Sequence, residues 1–370
     1  MTDICCIFNF YAFYREPIYK LMDDQIGCDF YFGDSYGLKL KKADYGALKG
    51  YKGTLKVTFG LFHRFKGAHK AVMNKKYRKY IAIGDPYCLS IWWLLIWARL
   101  TGKKTVLWTH GWYRDGKWVQ NLLNAIFWRL PSHIMTYGNY ARDFMISKGI
   151  KPEKMTPIYN SLDYDRQLEI RKQLDNTDIY KRHFNNDYPI LLYIGRLQKR
   201  KKINRVVEAM TLLRDRGVDT NFVVIGEAAE DIGLEEYVNN FNMNDRVWIY
   251  GPCYDEKTKG ELMFNADLCV TPGNVGLTAM DCLMYGLPIA TSNNFSTQMP
   301  EFEAIENGKT GTFFDVNDLN DMVDKIEIWL KNHSRETHNK IASDCYKVID
   351  EKWNPHYQIK TIKKILIDLK

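Results

Sequence analysis

The sequence has eight cysteines but no C-x-x-C pair, and Cys5, Cys6, Cys28, Cys88, Cys253, Cys269, Cys282 and Cys345 fall mostly inside apolar runs. Neither a zinc site nor a disulfide framework is expected, and free thiols suit a reducing cytoplasm. No basic segment precedes the first apolar run: "MTDICCIFNFYAFYREP" carries an acid at position 3 and reads as a first strand, not a signal peptide. No apolar run reaches the roughly 20 residues of a spanning helix. The nearest, "CLSIWWLLIWARL" at 88–100, reads as a buried helix. A monotopic membrane face is its alternative, because tryptophans followed by Arg99, Lys103 and Lys104 suit a headgroup boundary. Internal repeats and low-complexity tracts are also lacking, which excludes a solenoid.

What is present is globular usage at two-domain length: 370 residues, 46% hydrophobic and 26% charged, with 14% aromatics. The net charge of +8 favours an anionic partner. Nucleic acid is not the one expected, since the basic residues are dispersed and no RNA-binding aromatic motif accompanies them. Short apolar runs alternate with helical patterns, which means parallel α/β. Strands are expected at "ICCIFNF", "CDFYFG", "KYIAIGDP", "KTVLWTHG" and "SHIMTYGN", then at "PILLYIGRL", "NFVVIGE", "RVWIYGP", "LCVTPGN" and "LPIATSN". Two Rossmann-like domains with parallel sheets facing a central cleft follow, at 1–165 and 189–350. The polar stretch 166–188 reads as the linker and 351–370 as a final helix crossing back to the first domain. Ligand chemistry belongs at strand C-terminal ends.

Three segments carry candidate chemistry. In "TPGNVGLTAMDCLMYGLP", Gly273 and Gly276 allow close backbone approach, and the freed amides of the following helix form an anion site. In "LLYIGRLQKRKK", Arg196 and Lys201 follow a strand that ends at Gly195, where both charges can reach one phosphate; a solvated basic turn is the alternative. In "TVLWTHGWYRDGKW", His110 ends a strand, with Gly111 behind it and Arg114 and Lys117 in the loop.

The colinear set of strand-GRL-x3-K, "VVIGE", "VWIYGP", "ADLCVTPGNVGLTAMDCLMYGLPIATSNN" and "NGKTGTFF" resembles the donor-binding half of glycosyltransferase family 4, over roughly residues 105 to 360. The resemblance implies a GT-B fold, a nucleotide-sugar donor (UDP- or GDP-sugar), no metal or other cofactor, and transfer with retention of configuration. It makes Arg196 and Lys201 the pair that holds the diphosphate and stabilises the leaving nucleotide. Gly195 and the loop Gly273, Asn274, Val275, Gly276, Leu277 and Thr278 then meet phosphates and sugar, and Gly251, Pro252 and Cys253 pack the nucleobase. His110 matches a histidine set against the transferred sugar, and Asn160 a turn that supports the hinge before the second domain.

The match departs from the family at one pair of positions. A glutamate, seven residues and a second glutamate are usual; here Gly273 and Asp281 occupy those places. Asp281 would bind the ribose, or, from its spacing to Thr278, cap the helix. The "GNVGLT" variant resembles a bacterial branch acting in cell-surface polysaccharide assembly, so the acceptor is expected to be a glycan or a lipid-linked oligosaccharide. Tyr11, Tyr14, Arg15 and Arg114 are the acceptor-side candidates. The expected location is cytoplasmic, with peripheral contact to an anionic membrane at the inner face of the plasma membrane. A sugar-nucleotide epimerase of the same fold and a non-catalytic sugar-nucleotide-binding subunit are the alternatives.

Overall fold

The computed structural model describes residues 3–34, 42–333 and 338–369. It consists of two units, Met1–Asp163 with Asn354–Lys370, and Tyr164–Trp353. The first contains β1 (Ile4–Phe8), β2 (Asp29–Gly33), β3 (Tyr51–Thr58), β4 (Arg64–Lys66), β5 (Lys79–Ile83), β6 (Lys104–Thr109), β7 (His133–Thr136) and β8 (Met155–Pro157). They form one sheet in the order β4-β3-β2-β1-β5-β6-β7-β8, parallel except for the β3–β4 pair. The sequence pattern shows β1, β2, β5, β6 and β7 but not the rest. β3 is lysine- and glycine-bearing, with only Leu55 and Val57 buried, while β4 and β8 have three residues each, too few for a readable period.

Alternation in β1 sends Cys5 and Ile7 to one core and Ile4, Cys6 and Phe8 to the other. Burial on both faces is why such strands read as continuous apolar runs. One core is aromatic: Phe8 stacks on Tyr19 with centroids 4.9 Å apart, and Tyr11 stacks on Phe32 at 5.1 Å. Each such pair adds roughly 0.5–1.5 kcal/mol beyond its burial. The C-terminal helix Pro355–Asp368, capped by the Asn354 side chain on the Tyr357 amide at 2.8 Å, puts Ile359, Ile362, Ile365 and Leu366 into this core. Gln358 donates to the Tyr159 carbonyl at 2.7 Å and pairs with the Ser161 hydroxyl at 2.5 Å. The turn around Asn160 is thereby fixed to the returning chain within the same unit.

The second unit holds β9 (Ile190–Ile194), β10 (Asn221–Ile225), β11 (Val247–Gly251), β12 (Leu268–Thr271), β13 (Ile289–Ser292) and β14 (Gly311–Phe314), all parallel, in the order β11-β10-β9-β12-β13-β14. Strand order reverses between β1 and β5 in one sheet and between β9 and β12 in the other. Loops diverge at such points and leave a crevice at the strand C-terminal ends.

Two expectations are corrected. The stretch 166–188 is not a linker: Tyr164–Arg171 and Ile179–Phe184 are helices of the second unit. Tyr180 is buried and donates to the Leu262 carbonyl at 2.5 Å, and His183 stacks on Trp248 at 3.8 Å. Two short helices burying so few residues leave a polar sequence that reads as connection. Nor is the helix Leu89–Leu100 buried all round. Ile91, Leu94, Leu95 and Ala98 face the core, whereas Leu89, Trp93, Ile96 and Leu100 are exposed. Among the described residues no helix is long and apolar enough to cross a membrane.

Candidate functional site

In the first unit a cavity of about 530 Å³ opens at the C-terminal ends of β1, β5, β6 and β7. Asn9, Asp85, His110 and Tyr137 come from those four strand ends, and Arg15 and Arg114 also line it. The Arg15 guanidinium lies over Trp108 at 5.4 Å and Tyr137 at 5.2 Å, a cation held between aromatic faces. The His110 ring opens to the cavity and packs against Tyr137 with centroids 4.8 Å apart. Dense surroundings and the Arg15 charge push its pKa down to about 4. It is therefore a neutral imidazole at pH 7, a hydrogen-bonding group and not a charge.

Of the acceptor-side candidates, Arg15 and Arg114 reach this cavity. Tyr14 is half-buried beside Arg15, whose guanidinium is 5.8 Å from its ring. Tyr11 is not a site residue. It is wholly buried among Tyr19, Phe32 and Tyr45, because the chain turns inward after β1 to close the aromatic core.

In the second unit the loops after β9 and β12 meet at the strand-order reversal. Gly195, at φ +143°, turns the chain out of β9, and the 3-10 turn Lys199–Lys201 follows. The Lys201 ammonium donates to the Asn274 carbonyl, the Gly273 amide donates to the Lys201 carbonyl at 3.0 Å, and Thr278 donates to the Ile194 carbonyl at 3.2 Å. Burial, then repulsion by Arg200 and Arg196, pushes the Lys201 pKa down to about 8, with buried Glu301 pulling the other way. Arg196 itself is exposed. The arrangement concentrates positive charge that an incoming anion would relieve.

The loop departs from expectation at two residues. The Cβ side of Gly273 faces the chain itself. A Cβ there would stand 2.4 Å from the Arg200 carbonyl oxygen and 2.8 Å from the Lys201 α-carbon, so no side chain fits. The Val275 amide is taken as well, donating to Gln298 Oε1 at 2.7 Å, and Gln298 is in turn held by the Ser292 carbonyl at 2.8 Å. Gly276 is the N-cap of the helix Leu277–Met284, which no side chain caps. Gly251, Pro252 and Cys253 lie half-buried to exposed at the end of edge strand β11.

Asp281 does not cap its helix. Its Oδ1 accepts from Gln167 Nε2 at 2.7 Å and lies 3.3 Å from the Lys259 ammonium. Glu256 shares the same partners, with Lys259 at 2.8 Å and Gln167 at 2.9 Å, and accepts from the Tyr285 hydroxyl at 2.8 Å. Burial raises the Asp281 pKa despite Lys259, and two carboxylates beside it raise that of Lys259. None of Gln167, Glu256, Lys259, Tyr285 or Gln298 is marked in the sequence, because they converge from separate helices and loops. The acidic turn Asp255–Glu256 after β11 is the one signal. Among the described residues no group of three or more His, Cys, Asp or Glu is placed to hold a metal ion.

Residues 175–348 match the family model described as "Glycosyl transferases group 1". The matched span lies within the second unit, so it does not reach His110 or the first-unit cavity. A kanosaminyltransferase of Streptomyces kanamyceticus is 24% identical over 202 residues, 54% of this chain and 51% of that protein. The chain spans about half the length of the curated relatives it matches. Among solved structures, Anabaena Alr3699/HepE in complex with UDP superposes with a TM-score of 0.72 at 14% identity over 100% of both chains. A glycosyltransferase from Rickettsia africae gives 0.73 at 13% identity over 100% of this chain and 98% of that one. The chain has the GT-B fold of these glycosyltransferase structures, and its residues 175–348 resemble a group 1 glycosyl transferase domain.

Proposed function

We propose that the protein is a retaining glycosyltransferase that takes a UDP- or GDP-sugar donor and extends a glycan or lipid-linked oligosaccharide in cell-surface polysaccharide assembly. The observation that carries this reading is the electrostatic state of the loop pair at the β9/β12 reversal. Lys201 sits half-buried, its pKa pushed down to about 8 by burial and then by Arg200 and Arg196, and its ammonium rests on a backbone carbonyl, with no carboxylate in ion-pair contact among the described residues. A diphosphate supplies the missing anion, and its charge grows as the glycosidic bond breaks, so the same cations stabilise the leaving group more in the transition state than before it. That role does not call for a metal.

The uncapped start of the Leu277–Met284 helix offers further amides to the phosphates. Asp281, held by Gln167 and Lys259, presents its carboxylate to the ribose. Neutral His110 gives a hydrogen bond to the transferred sugar, and Arg15 with Arg114 receives the acceptor in the first-unit cavity. With no carboxylate at position 273, the acceptor proton passes to the leaving phosphate. The protein works on the cytoplasmic side of the plasma membrane, where such acceptors are built. Titration with UDP and GDP, followed by incubation of the matching sugar nucleotides with lipid-linked and soluble acceptors, tests the reading. An epimerised donor with no glycosylated product in any acceptor reaction would refute it.

A further inference from the structure

The helix Trp118–Phe127 buries one residue, Phe127, although seven of its ten residues are apolar. Trp118, Val119, Leu122 and Ile126 are exposed, at 76%, 52%, 54% and 50% of their surface. On the helix Leu89–Leu100 the exposed apolar residues Leu89, Trp93, Ile96 and Leu100 follow the i, i+4, i+7, i+11 spacing of a single stripe. The two helices touch through Trp92 and Phe127, whose ring centroids are 5.1 Å apart, and both rest on the same core cluster. Residues pointing away from that core therefore share one side of the first unit. Two neighbouring stripes this apolar exceed the scattered hydrophobics expected of a solvent-facing surface.

The charge along these segments is mostly positive, with Asp85 and Asp143 at their borders. From residue 86 to residue 142 the chain carries seven arginines and lysines and a single acid, Asp115, which pairs with Lys148 at 2.8 Å. At the end of the Leu89–Leu100 helix a cavity of about 200 Å³ is lined by Arg99, Lys103, Lys104 and Lys154 with no acidic residue. Burial and the Arg99 charge lower the pKa of Lys154, against the weaker pull of Glu153 outside the cavity. The cavity is thus an electropositive pocket at the border of an apolar face.

We infer that the Leu89–Leu100 and Trp118–Phe127 helices form a face that docks on an anionic phospholipid bilayer, with the cavity beside Arg99 and Lys104 receiving a lipid phosphate. Tryptophan and leucine enter the headgroup boundary while arginine and lysine hold the phosphates, the division of labour of an interfacial helix. A second copy of the chain is a poorer occupant, since a two-fold contact would press this basic rim against itself. The inference deepens the proposed action on a membrane-linked acceptor and rests on that reading for its purpose, but not for its evidence. Trp108 and Trp112 are buried and take no part; the Lys103 ammonium is already bonded to the Asn74 carbonyl at 2.9 Å and to Tyr80 at 3.0 Å, and the Lys154 ammonium to the Pro131 carbonyl at 3.0 Å and the Arg129 carbonyl at 3.3 Å, which leaves Arg99 and Lys104 to meet the phosphate.

Flotation of the full chain with phosphatidylcholine vesicles, with and without phosphatidylglycerol, at low and high salt, tests it. The wild type floats with the anionic vesicles at low salt only. Arg99→Glu with Lys104→Glu removes two attractive charges, each of which strengthens partitioning about fivefold, so it weakens binding at least about 25-fold. Leu122→Glu with Ile126→Glu abolishes flotation even at low salt. All these positions are exposed or half-exposed, and an unchanged melting temperature with unchanged UDP and GDP binding shows that the variants are folded. A wild type that does not float, flotation indifferent to both variants, or a concentration-dependent dimer that Leu122→Glu dissociates would overturn the inference. Failure of this test with transfer to a soluble acceptor intact would leave the proposed function standing; flotation without any transfer would do the reverse.

Discussion

Replacing Gly273 with alanine tests how the loop is built. The backbone at Gly273 is not in the left-handed region, so an alanine there meets no conformational penalty of its own. The whole cost is steric: its Cβ would lie 2.4 Å from Arg200 O, 2.8 Å from Lys201 Cα and 3.1 Å from Lys201 C, all backbone atoms. Relief requires the Lys199–Lys201 turn and the 272–276 loop to separate, stretching the 3.0 Å bond from the Gly273 amide to the Lys201 carbonyl. Overpacking with one weakened hydrogen bond costs about 2–4 kcal/mol. For a unit of this size that lowers the melting midpoint by roughly 4–16 °C. Because the displaced turn carries Lys201, nucleoside diphosphate affinity falls with it. Differential scanning fluorimetry and isothermal titration with UDP and GDP read the two effects. Gly273→Glu, which restores the usual acid of the resembled family, should be worse than Gly273→Ala. An alanine variant with native midpoint and native nucleotide affinity would refute the reasoning.

Lys201 binds anions in its protonated form, so nucleoside diphosphate affinity should hold below pH 8 and fall as pH rises through about 8, where the free lysine loses its proton. Lys201→Arg should remove that dependence, and an arginine variant with the same alkaline limb would place the titrating group elsewhere. Lys201→Met should reduce kcat roughly a hundred- to a thousandfold with the fold retained, read from steady-state transfer and a thermal melt. Asp281→Asn should weaken UDP or GDP binding but spare pyrophosphate, since Lys259 keeps Glu256 as partner; equal weakening of both ligands by titration would remove the ribose role. Transfer should persist in excess chelator, and activity lost to the chelator and restored by magnesium would contradict a leaving group stabilised by Arg196 and Lys201 alone.

Much of the molecule was legible in local pattern. β1, β5, β6 and β9 announce themselves as apolar runs because both faces of a parallel sheet are covered, and Gly195-Arg196 and Asn274-Val275-Gly276 stand at strand ends where ligand loops belong. Some local signals pointed the wrong way. Tyr11 carries the same aromatic side chain in a core as in a binding site, and the spacing of Thr278 and Asp281 suits a capping box that the helix start at Gly276 does not use.

The sequence by itself determined the alternation of strand and helix, the sites of chain reversal, and the types of side chain available for anion binding, because each depends on residues a few positions apart. Only the tertiary structure decided which groups meet. Lys201 reaches Asn274, Gln298 holds the Val275 amide, and Gln167 joins Asp281 to Glu256 across 114 and 89 positions of chain. It also decided that Gly273 is a packing requirement and that the apolar Trp118–Phe127 helix is left uncovered. Hydrophobic pattern gives an element a face, but the neighbour that covers the face, or fails to, is set by the order of strands in the sheet beneath it.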